Sequence, residues 1–161
     1  MDNYWTIILI IGAIALAVGP VMMLQPSQRS RRLSELRQAA AQLSIRIRLS
    51  TITLPLGKKE VAVYSLSLPT SDTVRSQWAL IKQDYTHGAN FHNEWAWENP
   101  KQAAPDFQHA TLREILASLD SSIVGIEMTQ NTLGVYWHEK SLTIEQINQL
   151  LTAYRDKLAS T

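Results

Sequence analysis

The chain has 161 residues, enough for one domain of about 115–130 residues beside a short N-terminal segment. It contains no cysteine, which excludes disulfides, thiol catalysis and Cys-ligated zinc. The net charge of +1 hides an asymmetry: residues 25–60 hold eight Lys or Arg against two Glu, whereas residues 61–161 hold seven against eleven Asp or Glu. The distal part has no basic excess, so nucleic acid is not an expected partner.

From Tyr4 to Leu24, 21 residues pass without a charged side chain. A spanning helix needs about 20 apolar residues, because about 30 Å of hydrocarbon is crossed at about 1.5 Å per residue. Residues 1–26 therefore read as a transmembrane anchor. Only Asp2 precedes the run, while Arg29, Arg31, Arg32 and Arg37 follow it. Basic residues beside a span stay on the cytoplasmic side, so the expectation is a bacterial single-pass inner-membrane protein with its N-terminus outside and its body cytoplasmic. The same four arginines would meet anionic lipid headgroups of the bilayer. Tyr4 and Trp5 suit the outer interface. A cleaved signal competes, since Ala15-Leu16-Ala17 has the small-x-small form, but no Lys or Arg precedes the apolar run and the run continues to Leu24. Gly12, Ala15 and Gly19 fall on one helical face and are predicted to pack against a span of another membrane protein or of a second copy. Pro20 is expected to kink or end the helix.

Residues 27–43 read as a basic juxtamembrane helix, capped by Ser27 or Ser30. Leu33, Leu36, Ala40 and Leu43 form a narrow apolar stripe on it. The stripe can pack on the chain's own domain, pair as a coiled coil or lie on lipid. Own-domain packing is the default, because fewer than two heptads are too few for a coiled coil.

Residues 44–161 are expected to form a cytoplasmic α+β domain. Ile45-Arg46-Ile47-Arg48-Leu49 alternates as a half-buried strand, and a parity shift at Ser50-Thr51 predicts a bulge before Ile52 and Leu54. Turn chemistry follows at residues 55–59, then a strand over 60–68 that is apolar on both faces, completing a hairpin. A third strand is predicted over 77–83, with a helix as the alternative. Glu94-Trp95-Ala96-Trp97-Glu98 could pair back on it, inside an otherwise irregular segment 85–109. Leu112, Ile115, Leu116 and Leu119 give a short amphipathic helix. Two strands over 123–129 and 132–139 meet at Gln130-Asn131. Thr143 and Gln146 make a capping box for a helix carrying Ile144, Ile147, Leu151, Tyr154 and Leu158. This order predicts an antiparallel sheet of about five to six strands backed by two helices.

Motifs for chemistry are few. His138-Glu139 starts like a zincin, but Leu142 stands where the second His belongs. Gly57-Lys58 lacks the rest of a phosphate-binding loop, and neither a Gly-x-Ser-x-Gly nor a Gly-x-Gly-x-x-Gly occurs. One constellation remains: His87, His92, Glu94 and Glu98 with Trp95 and Trp97. Imidazole and carboxylate can hold zinc, but the spacing fixes no geometry. Trp95, Trp97 and His92 are instead read as a partner-binding surface, since tryptophans bury large areas at small entropic cost. His109 and His138 are read as structural. No cofactor is expected.

The N-terminal third resembles small inner-membrane proteins of the YajC type, accessory to the preprotein translocase. The likeness is an N-terminal apolar run followed by Gln25-Pro26-Ser27-Gln28-Arg29-Ser30-Arg31-Arg32 and a helix. The Gly-rich strand pattern of that family is replaced here by Ile45-Arg46-Ile47-Arg48-Leu49 and a longer domain, so no functional residue carries over. The resulting expectation is a non-enzymatic membrane adaptor or accessory subunit whose domain binds another protein. The alternatives are a metal-dependent or enzymatic module at residues 87–98 and a lipid-surface protein acting through its arginines.

Overall fold

The structure, a computed structural model, describes residues 3–23, 28–54, 57–69, 76–83 and 90–160. It divides into two units, Met1–Glu35 and Leu36–Thr161, described separately. The boundary falls inside a helix.

The first unit holds α1 (Asn3–Met23) and the start of α2 (Gln28–Gln42). Among the described residues no helix is long and apolar enough to cross a membrane. This corrects the expected transmembrane anchor, and with it the single-pass, inner-membrane placement and the outside N-terminus. Of the arginines expected to meet lipid headgroups, Arg31, Arg32 and Arg37 are exposed, and the side chain of Arg29 lies outside those described. Gly12 has nothing within 4 Å of a Cβ built on it, and Ala15 is exposed. Both residues of the predicted packing face thus lie open on the helix surface, and Gly19 lies beyond the described side chains. The helix continues through Pro20 to Met23.

The second unit is α+β. Six antiparallel strands, β1 (Ile45–Leu54), β2 (Gly57–Ser67), β3 (Trp78–Lys82), β4 (Trp95–Trp97), β5 (Ile123–Met128) and β6 (Thr132–Trp137), lie in the order β1-β2-β6-β5-β3-β4. Helices α3 (His109–Ser118) and α4 (Ile144–Ala159) and the end of α2 pack on one face. The cause is visible in the residues. Ile45 and Ile47 of β1, Ala62 and Tyr64 of β2, Val135 and Trp137 of β6 and Trp78 and Leu80 of β3 share a sheet face and form one core. Against them stand Leu112, Ile115 and Leu116 of α3 and Ile144, Ile147, Leu151, Tyr154 and Leu158 of α4. Leu36, Ala40 and Leu43 join the same core, so the α2 stripe packs on its own domain. Thr143 accepts from the Gln146 N–H and the Gln146 side chain accepts from the Thr143 N–H, the predicted capping box.

The expected bulge at Ser50-Thr51 is absent: β1 pairs with β2 without a shift from Ile45↔Leu66 to Leu54↔Gly57. The parity change has another origin. Ile45 and Ile47 point to the helices, whereas Ile52, 1% exposed, points to the opposite face. There it joins Val61, Val63, Ile81 and Tyr136 in a second, smaller core. This becomes possible because β2 pairs with β6 only over Ala62–Ser67, so the far half of the β1–β2 hairpin overhangs the sheet. The overhang bends across the helix-free face.

Candidate functional site

Two features of the second unit offer themselves to a ligand. The first is the edge of the sheet. Among the described residues β1 has a neighbour on one side only, so half of its backbone N–H and C=O groups point outward, ready to pair with another strand. A groove of about 300 Å³ runs beside it, lined by Arg37 and Ala41 of α2 and by Ile45, Ile47, Arg48 and Leu49 of β1. Leu49 is 58% exposed there. It continues the Ile45–Ile47 face past the point where α2 covers it. Arg46 and Arg48 alternate on the other side of the strand and are exposed. The edge is thus apolar toward α2 and cationic along its rim.

The second feature is a hollow of about 370 Å³ on the helix-free face, lined by Ile52, Lys59, Lys82, Gln83, Glu94, Val124 and His138. The overhanging hairpin supplies Ile52 and Lys59. Val124 comes from a bulge in β5, where Ile123 faces Trp137 and Gly125 faces Tyr136, leaving Val124 as the extra residue. His138 follows β6 directly. Lys59 Nζ lies 3.3 Å from His138 Nε2, and Lys82 Nζ lies 3.1 Å from Glu94 Oε2. Burial, then the positive charges of Lys59 and Lys140, push the His138 imidazole below its ordinary value, toward the neutral form that can accept from an ammonium.

Also on this face is a buried ionic group. Glu127 is 5% exposed. Its Oε2 accepts from Arg48 Nη2 at 2.6 Å and from the Tyr136 hydroxyl at 2.7 Å. Burial first, then the hydrogen bond to Glu127, push the Tyr136 phenol strongly upward. The group is satisfied internally, as a buried carboxylate requires.

The sequence-predicted site residues are dispersed. Trp95 is 6% exposed and belongs to the helix-side core. Trp97, half-buried, packs on Phe91 at 4.7 Å, Trp78 at 6.1 Å and His109 at 5.9 Å between ring centroids. These rings are engaged inside their own domain, which corrects the reading of Trp95 as an exposed anchor: alternation revealed one face of β4, and that face is the core. His92 is half-buried, with Nε2 3.2 Å from Asn93 Nδ2. His87 lies outside the described residues. Among the described residues no three His, Cys, Asp or Glu side chains group as metal ligands. Glu94 turns to Lys82 instead of toward His92. His109 is structural in place: its Nε2 lies 2.9 Å from the Ala104 carbonyl, and its ring stacks edge-on against Phe91.

Sequence reasoning missed the β1 edge, the hollow and Glu127. Two signals bore on the last of these. Gly125 and Gly134 interrupt strands, and such glycines mark close approach by a neighbour. A Cβ on Gly134 would lie 3.1 Å from Glu127 Oε1.

No family model, curated protein or solved structure matches the chain. None of these comparisons bears on the likeness to YajC-type proteins.

Proposed function

We propose that the second unit is a non-enzymatic protein-interaction module that takes an extended peptide segment of a partner along β1. The observation that carries this reading is the coincidence of an unpaired ten-residue strand edge with an apolar groove between that strand and α2. An added strand would gain main-chain hydrogen bonds from the edge, and its alternate side chains would enter the groove. Leu49 and Ile47 favour apolar side chains at those positions. Arg37 and Arg46 favour an acidic residue beside them.

The test is hydrogen exchange on the full chain, with synthetic extended peptides that alternate apolar residues and carry either acidic or basic flanks. The acidic-flanked peptide is expected to protect the outward amides of β1. Leu49→Lys should weaken it by about tenfold, the order expected for losing one buried Leu contact. Protection absent from β1, or equal for the basic-flanked peptide, would overturn the reading.

A further inference from the structure

We propose that the hollow on the helix-free face is a binding site for a small organic anion, its charged group held at Lys59 and its apolar body resting on Ile52 and Val124. The lining is selective in charge. Two lysines stand against one glutamate, with His138 neutral, so the hollow carries a net positive charge. Lys82 is already paired with Glu94. Lys59 instead meets the imidazole of His138. An ammonium has three hydrogens. One suits Nε2 of the neutral ring, and the others remain for an oxyanion. The floor is apolar: Ile52 is 1% exposed and Val124 is half-buried. Gln83 adds an amide that both donates and accepts. A few polar groups converging over an apolar floor is the general form of a small-molecule site, and the volume lies at the small end of the range of about 300–1,000 Å³.

The same arrangement supplies its own reporter. The groups around the His138 ring are Lys59 on β2, Lys140 on its own loop, and Lys82 and Glu94 across the hollow. The lysines disfavour imidazolium. An anion seated at Lys59 offsets them, so His138 must titrate at higher pH when the site is filled. By linkage, binding strengthens as His138 takes up its proton.

The experiment follows the His138 ring proton by NMR in the full chain across a pH series at constant ionic strength. Chloride is the reference, and inorganic phosphate and propionate are the two probes. His109, packed on the helix side, is the internal control. The expected result is an upward move of the His138 midpoint with at least one probe, while His109 stays in place. Lys59→Gln should weaken that probe by about tenfold. Lys59 is exposed, so the variant should melt with the wild type. A shift with phosphate alone assigns the site to phosphorylated ligands; a shift with propionate alone assigns it to carboxylates that use the Ile52–Val124 floor. If neither probe moves His138, or if Lys59→Gln leaves the shift unchanged, the proposal is overturned.

Discussion

In the β5–β6 pair, Tyr136 stands directly opposite Gly125, and its ring occupies the space where a side chain on Gly125 would begin. A Cβ there would lie 2.7 Å from Tyr136 Cδ2 and 2.9 Å from Ile81 Cδ1. The glycine therefore lets the ring lie close to the sheet, in the position from which its hydroxyl reaches Glu127. Gly125→Ala is expected to destabilise the domain by about 1–3 kcal/mol through overpacking. Urea unfolding measures this, and an unchanged midpoint would refute the packing argument.

Removal of the hydroxyl itself isolates the hydrogen bond. Tyr136→Phe leaves the nearly buried Glu127 with Arg48 as its charge partner and is expected to cost about 1–3 kcal/mol. The Arg48 side chain is 49% exposed, so solvent takes over part of its role and Arg48→Met should cost less. Because both groups bind the same oxygen, a double-mutant cycle should return a coupling of about 0.5–3 kcal/mol. Additive losses would mean that the three groups do not act as a unit.

His138 makes stability depend on pH on the acid side. Its folded-state value is held below the ordinary 6.5, so between the two values the unfolded chain binds more protons than the native one. Stability is then full above about pH 6.5 and falls as pH drops toward the folded value. His138→Gln should flatten the wild-type curve in that window. Thermal melting of both proteins across the range checks this; parallel curves would exclude His138 as the cause.

Tyr64 and Tyr136 act at the alkaline end. Burial first, then hydrogen bonds to Glu139 and Glu127 respectively, raise both phenols well above 10. The unfolded chain releases these protons at lower pH than the native one, so the associated stability is present below about pH 10 and is lost as pH rises beyond it. Absorbance of the phenolates should show both tyrosines ionising only as the protein unfolds. Ionisation of either one in the folded protein would contradict their placement.

Much of the domain was legible along the chain. The capping box at Thr143 and Gln146, the apolar period of α4 and the β5–β6 hairpin all depend on residues a few positions apart. Such short-range patterns survive any tertiary arrangement. The parity change in β1 was legible too, but its meaning was not. An extra residue and an exchange of buried face leave the same trace in a sequence. The structure places the bulge at Val124 and the face exchange at Ile52. Likewise, Trp95 and Trp97 announced a large contact area without saying whether a partner or the chain's own core would take it. The apolar run from Tyr4 fixed a helix, but none of the described helices meets the length and apolarity of a span.

By itself the amino-acid order determined the helices of the domain, the pairing of its hairpins and the α+β class, since caps, turns and periodicity are local. Only the tertiary structure decided that Arg48 would meet Glu127 and that Lys59 would meet His138, each across 79 residues. It also decided that β1 would be left at an edge. Those contacts depend on how far the β1–β2 hairpin overhangs its neighbour and bends across the helix-free face. That bend is set by the whole sheet and both of its cores acting together, and no short window of the chain records it.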